Sequence, residues 1–193
     1  MTALLMIRHG KTSWNAQKKL QGRQDIPLSK KGTNLLLKKK IPGQFDDFHW
    51  VSSPLKRARQ TAELLGGDLI TIKEALIEMD WGDWEGRTIA ELRSEYGEEM
   101  SREEDKGLHM TPPNGESPYR VQQRLKPWLK SLGNPTIAVA HKGIIRAMKS
   151  LAYDWDMKDK SPVTFDWNCA HLFDVEEDGK LTVIRPNIPL EKK

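Results

Sequence analysis

Ala3-Leu4-Leu5-Met6-Ile7-Arg8-His9-Gly10-Lys11-Thr12-Ser13-Trp14-Asn15 is the stretch on which the reading of this chain turns. Its five leading apolar residues describe a buried strand, and a short apolar run that ends in a turn suits a parallel strand covered on both faces. The run then sets a permanent cation, Arg8, beside an imidazole, His9. In open α/β sheets the reactive groups collect beyond the carboxyl ends of such strands. Gly10 permits a sharp exit, and Thr12 and Asn15 add hydrogen-bonding groups suited to an anion. Arg-His-Gly alone would equally fit a strand-end imidazole bonded to a carbonyl, with the arginine paired to a carboxylate.

A second apolar run, Thr136-Ile137-Ala138-Val139-Ala140, also ends directly in a histidine followed closely by glycine: His141-Lys142-Gly143. Two such strands side by side and parallel bring His9 and His141 out at one edge. Phe48-His49-Trp50-Val51-Ser52 supplies a third strand, whose end feeds a helix with Ser53 as its cap and Pro54 as its first residue. Arg57 falls in the first turn of that helix and points toward the same edge, whereas Arg59, two residues on, is turned away. Glu78 sits in a loop after the short β-type run Leu69-Ile70-Thr71-Ile72 and overhangs the same pocket.

These charges fit a phosphoryl site. A phosphate monoester carries up to two negative charges, and arginine forks hold its oxygens with fixed geometry. Arg8, Arg57 and a protonated His141 would grip the transferring group, while a neutral His9 nitrogen attacks phosphorus in line. Glu78 is the candidate proton donor to the leaving oxygen, which requires a pKa raised toward ~6–7 by burial or neighbours. Glu85 competes for that role, but a hydrogen bond to the loop backbone accounts for it better.

Arg8-His9-Gly10-Lys11-Thr12-Ser13-Trp14-Asn15 after an apolar strand resembles the signature of the histidine phosphatase superfamily, phosphoglycerate mutase-like branch. Ser52-Ser53-Pro54-Leu55-Lys56-Arg57-Ala58 is similar to the family's second-arginine segment. Glu78-Met79-Asp80-Trp81-Gly82 followed by Trp84-Glu85-Gly86 is similar to its acid segment, and His141 to its second histidine. Gln21-Gly22, near the substrate in the family, and Gly115-Glu116-Ser117 also resemble family segments. The resemblance covers residues 3 to about 150. It implies a metal-independent phosphatase that hydrolyses a small phosphomonoester through phosphohistidine on His9, without a cofactor. Arg8, Arg57, Glu78 and His141 would be the other catalytic groups, and Thr12, Asn15, Gln21, Gly22 and Lys142 would bind substrate. Lys142 departs from the family, which usually has glycine there, and offers a further cation to a substrate or points to solvent. Two other readings stay open: a phosphoglycerate-type phosphomutase, against which the short chain and missing basic insertion weigh, and a non-catalytic phosphate-binding module.

Elsewhere the pattern alternates strands with helices, predicting a three-layer α/β/α sandwich with a mainly parallel sheet. Ser29 caps a helix over 30–40 that Pro42-Gly43 stops. A second helix ends at Gly66-Gly67, a third spans 88–96, and the acidic stretch after it reads as exposed or mobile. A long amphipathic helix follows Glu116, and another covers 144–153. Two final strands, 169–175 and 181–185, close a hairpin that adds an antiparallel edge.

The 193 residues suit one domain spanning 1–193. A single cysteine, Cys169, leaves no intramolecular disulfide framework, and a reducing, cytoplasmic setting is the simplest expectation. No apolar run approaches the ~20 residues needed to span a bilayer. The net charge of +4 raises the question of nucleic acid, but Lys38-Lys39-Lys40 comes with no nucleic-acid-binding motif and reads as a solvated helix face. No metal-ligand pattern appears, and His49, His109 and His171 read as surface or packing residues. The expected partner is a small phosphorylated substrate or inorganic phosphate, with neither nucleic acid nor membrane; oligomeric state is not legible.

Overall fold

The opening apolar run lies in the middle of a six-stranded sheet, and its alternation decides what lies on either side. The computed structural model describes residues 1–193. Its strands are β1 (Thr2–Arg8), β2 (Lys39–Lys40), β3 (His49–Ser52), β4 (Thr71–Ile72), β5 (Thr136–Ala140), β6 (Cys169–Val175), β7 (Leu181–Pro189) and β8 (Glu191–Lys192). Its helices are α1 (Ser13–Ala16), α2 (Lys30–Leu36), α3 (Lys56–Leu65), α4 (Ile89–Tyr96), α5 (Glu98–Glu104), α6 (Pro118–Lys130) and α7 (Lys142–Tyr153). Strand order is β4-β3-β5-β1-β6-β7, and β2 pairs separately with β8. The four strands from β4 to β1 are mutually parallel, and β6 and β7 join antiparallel.

Successive strand side chains point to opposite faces. Leu4 and Met6 therefore meet Val121, Leu125, Ile144 and Met148 of α6 and α7, whereas Leu5 and Ile7 meet Leu36, Ala58, Ala62 and Leu65 of α2 and α3. Burying such side chains contributes about 1.5–3 kcal/mol each. This double coverage makes the expected three-layer α/β sandwich, and β6 with β7 makes its antiparallel edge. No helix is long and apolar enough to cross a membrane.

Several boundaries differ from the sequence reading for identifiable reasons. Ser29 does cap α2, accepting from the Gly32 N–H at 3.1 Å, but the helix ends at Leu36. Of the three leucines only Leu36 is buried, so nothing holds a longer helix on the core; Lys39 and Lys40 instead pair with Lys192 and Glu191. The lysine cluster is therefore partly a strand. The acidic stretch is not a loose tail: Met100 packs with Trp84 and Leu92 and folds residues 98–104 into α5. Helix α7 starts at Lys142, two residues early, and β7 runs on to Pro189. Helix α3 starts at Lys56 behind Leu55, and Ser53 is not its cap.

One close approach ties α2 to the loop after β1. The Lys11 carbonyl accepts from both the backbone N–H and the hydroxyl of Ser29, at 2.9 and 3.0 Å. A β-carbon on Gly32 would stand 2.1 Å from that same oxygen. Gly32→Ala is therefore expected to push α2 off the loop and lower stability by about 1–3 kcal/mol, read as a shifted midpoint in urea unfolding with unchanged slope.

Candidate active site

Parallel pairing of β1 with β5 aligns Arg8 with Ala140, and the His9 N–H donates to the Ala140 carbonyl at 2.9 Å. The two strands thus release His9 and His141 at the same level, with ring centroids 5.1 Å apart. Both rings are buried, His9 at 6% and His141 at 0% exposure. His9 lines a cleft of about 530 Å³ together with Arg8, Asn15, Gln21, Gly22, Glu78, Lys142 and Arg146, and His141 lies buried behind it.

The His9 ring is fixed by Nδ1, which lies 2.7 Å from the Gly10 carbonyl. A carbonyl only accepts, so Nδ1 carries the proton and Nε2 keeps its lone pair. Burial, with Arg57 and Arg8 close by, drives the His9 pKa well below the imidazole range. The neutral His9 expected from sequence follows directly.

His141 is also held neutral, by burial first and then by Arg57, His9 and Arg8. Without an anion in the site, desolvation and the two guanidiniums disfavour the imidazolium; the protonated His141 expected from sequence is one that holds a bound phosphoryl group. Its Nε2 lies 2.7 Å from the Ser53 hydroxyl, which also accepts from the Leu55 N–H at 3.3 Å. Ser53, read from sequence as a helix cap, instead orients the second imidazole.

Arg57 is fully buried, and its Nη1 and Nη2 donate to the carbonyls of Gln24 and Gly22, both at 2.7 Å. It therefore clamps the 20–25 excursion over the strand ends. Arg59 is exposed. Arg8 sits 5.9 Å from the Trp167 ring centroid. Six buried side-chain polar atoms lack a hydrogen-bond partner, and three of them, Arg8 Nε, Arg57 Nε and His141 Nδ1, belong to this site. Such atoms are rare in folded proteins, and their concentration around one point marks it as a place where an anion is favourable.

Glu78 is buried beside them, accepting from the Met79 N–H at 2.8 Å and the Gly143 N–H at 3.3 Å. Burial raises its pKa against the opposing pull of those N–H groups and of Arg57 and Arg8. A β-carbon on Gly143 would meet Glu78 Oε1 at 2.4 Å, so glycine at 143 is what lets the carboxyl rest on the start of α7. Upstream, Arg124 of α6 grips the Ala75 and Ile77 carbonyls at 2.5 and 2.6 Å and the Glu116 carboxylate at 2.8 Å. Glu85 accepts from the Arg23 N–H at 2.7 Å, a loop-backbone contact.

Thr12 and Asn15 form a reciprocal cap for α1, with Thr12 N–H to Asn15 Oδ1 at 2.9 Å and Asn15 N–H to Thr12 Oγ1 at 3.2 Å. The Thr12 hydroxyl also reaches Gln21 Oε1 at 2.9 Å. Lys142 is exposed at the rim. Sequence reasoning missed Arg124, Arg146 and Trp167; only the α7 spacing of four residues between Lys142 and Arg146 gave a signal. His49 and His109 are exposed, and His171 is buried against Phe165 with ring centroids 4.0 Å apart. The chain has no group of three or more His, Cys, Asp or Glu placed to hold a metal ion.

A buried, cation-lined pocket built on two strand-end imidazoles defines a class of anion-handling α/β protein. A family model of the histidine phosphatase superfamily (branch 1) matches residues 4–187, and the chain belongs to that superfamily. The glucosyl-3-phosphoglycerate phosphatase of Mycobacterium tuberculosis is 32% identical over 165 residues, covering 76% of this chain and 73% of that protein. An uncharacterized phosphatase, PhoE, of Bacillus subtilis is 41% identical over 103 residues, about half of each chain (50% and 52%). A 2,3-bisphosphoglycerate-dependent phosphoglycerate mutase of Beijerinckia indica is 31% identical over 164 residues, 75% of this chain and 78% of that one. The solved structure of Bacillus stearothermophilus YhfR matches with a TM-score of 0.78 at 27% identity, over 95% of this chain and 96% of that one.

The tautomer and charge of the two imidazoles are directly measurable. In ¹⁵N spectra, His9 and His141 are expected to remain neutral through the pH range where imidazole ordinarily titrates, protonating only below it. Inorganic phosphate is expected to raise the His141 pKa, because a nearby anion favours the imidazolium.

Proposed function

We propose that this protein is a phosphatase that hydrolyses a small phosphomonoester through a phosphohistidine on His9. The observation that carries the reading is the Nδ1 contact of His9 with the Gly10 carbonyl at 2.7 Å, which leaves Nε2 unprotonated among buried cations.

In the first step the Nε2 lone pair forms a bond to phosphorus in line with the ester oxygen. The P–O bond breaks, and Glu78, whose pKa burial raises, gives its proton to the leaving alkoxide. Arg8, the remaining N–H groups of Arg57 and His141 bind the equatorial oxygens, where their charge and dipoles need no reorganisation as the transition state forms. His141, neutral before substrate arrives, gains proton affinity once the dianion is beside it. In the second step water attacks phosphorus, ionised Glu78 takes its proton, and His9 leaves as the neutral imidazole. Thr12 and Asn15 shape the loop beside the phosphate, and Gln21, Gly22 and Lys142 meet the rest of the substrate. Relatives named as phosphatases support the hydrolytic outcome. A phosphomutase differs only in returning the phosphoryl group to a substrate hydroxyl instead of to water.

The test is phosphate release from an aryl phosphate and from a panel of small phosphorylated metabolites, without added bisphosphate. Wild-type protein is expected to turn over and His9→Ala to lose at least ~10⁴-fold in kcat. Wild-type protein quenched in alkaline detergent should carry labelled phosphate in an alkali-stable, acid-labile bond that His9→Ala lacks; burst-free, unlabelled turnover would overturn the reading. Phosphoryl transfer that requires added bisphosphate would assign a mutase instead.

The pH profile follows from the two shifts. Activity needs neutral His9, whose lowered pKa places the acid limb below the ordinary imidazole range, and protonated Glu78, so rate falls as pH rises through its raised pKa. Glu78→Gln is expected to lower kcat by ~10²–10⁴ and to remove the alkaline limb, checked by kcat against pH.

A further inference from the structure

The tautomer of His9 hangs on the direction of one carbonyl, and that carbonyl belongs to glycine, the residue whose torsions are least restricted. The Gly10 carbonyl has no hydrogen-bond partner except His9 Nδ1, at 2.7 Å. Nothing in the residue itself aims it. The aim comes from the hydrogen bonds on either side.

Those bonds are few. Behind Gly10, the His9 N–H donates to the Ala140 carbonyl at 2.9 Å, and ahead of it the Lys11 carbonyl is held by Ser29. The Gly10 N–H makes a single contact, donating to the Thr61 hydroxyl at 2.9 Å.

Thr61 lies fully buried in α3. Its hydroxyl has one proton, which goes to the Arg57 carbonyl one turn earlier at 2.6 Å. A hydroxyl bonded back to its own helix is no longer free to rotate, and it keeps a lone pair for the Gly10 N–H. Ala58, Ala62 and Leu65, its neighbours on the helix, belong to the apolar core. Valine has the same shape as threonine, so packing alone gives no reason for a hydroxyl at 61. Its two hydrogen bonds do: they tie the residue beside the nucleophile to the backbone of Arg57. Arg57 and Thr61 stand four residues apart and share one face of α3.

We infer that Thr61 is a positioning residue for the nucleophile: by holding the Gly10 N–H it keeps the Gly10 carbonyl on His9 Nδ1, and so keeps the lone pair on Nε2. Without that hold the glycine turns, and Nδ1–H loses its acceptor in a buried site, a costly loss. The ring then regains the choice of carrying its proton on Nε2, a form that cannot attack phosphorus. The consequence for turnover rests on the phosphatase reading; the tautomer is a property of the free protein.

Thr61→Val removes the hydroxyl and keeps the shape, whereas Thr61→Ser keeps the hydroxyl and removes a methyl group. Long-range ¹H–¹⁵N spectra of the free proteins read the tautomer. Wild-type protein and Thr61→Ser are expected to carry the His9 proton on Nδ1, and Thr61→Val to carry much of it on Nε2. For an aryl phosphate, kcat/KM should fall ~10–100-fold in Thr61→Val and less than ~3-fold in Thr61→Ser. Inhibition by inorganic phosphate should change less than ~3-fold in both, since the oxygen-binding groups stay in place. Wild-type kcat/KM in Thr61→Val, or a lowered one with the His9 tautomer unchanged, overturns the inference. So does a serine variant as impaired as the valine variant. Should Thr61→Val not fold, Thr61→Ala is read by the same two measurements. If wild-type protein hydrolyses no ester, the phosphatase reading falls, and the tautomer comparison still decides the role of Thr61.

Discussion

Everything at the site depends on one parallel strand pairing. Because β1 and β5 run side by side with Arg8 opposite Ala140, two histidines more than a hundred residues apart emerge together. Neither local sequence nor helix capping does this; backbone hydrogen bonds in the sheet do. The helix on each face of β1 then supplies what the strands lack: α3 brings Arg57 from one side and α7 brings the Glu78 seat from the other. Nothing else in the chain has to reach far.

The site gains its character from desolvation more than from any single ion pair. Burial moves imidazole and carboxyl groups in opposite senses: it lowers the pKa of His9 and His141 and raises that of Glu78. A lone pair and an acid proton can thus coexist within one pocket, because each is the neutral form of its group. Arginine tolerates the same burial while remaining charged. Surface ion pairs such as Arg102 with Glu98, both largely exposed, contribute little by comparison.

Much of this was legible in the sequence wherever short apolar runs met unusual polar residues. The runs at 3–7 and 136–140, the turn glycines and the amphipathic helices carry periodic signals that survive without coordinates. Failures came where tertiary contacts overrode local preference. Ser53 has the composition of a helix cap, yet its hydroxyl is taken by an imidazole 88 positions later. Three leucines after Ser29 suggested a long helix, but a strand from the far end of the chain claims Lys39 and Lys40. Met100 is one apolar residue among acids, too little for a pattern and enough for an anchor. Arg124 and Arg146 look like ordinary polar positions of amphipathic helices, and only packing separates them from solvated neighbours. The downward pull on the His141 pKa could not be read from sequence, because burial and two adjacent guanidiniums cannot be counted before they are placed.

Arg57 holds the excursion over the pocket through the carbonyls of Gly22 and Gln24. A carbonyl oxygen presents the same face whichever side chain its residue bears. The grip is therefore indifferent to most of the identities around it. The rim of the pocket can drift in composition, and with it the shape of the molecule admitted, while the guanidinium beneath stays anchored. Chemistry and selectivity are mechanically joined in this chain, yet remain free to diverge in descent.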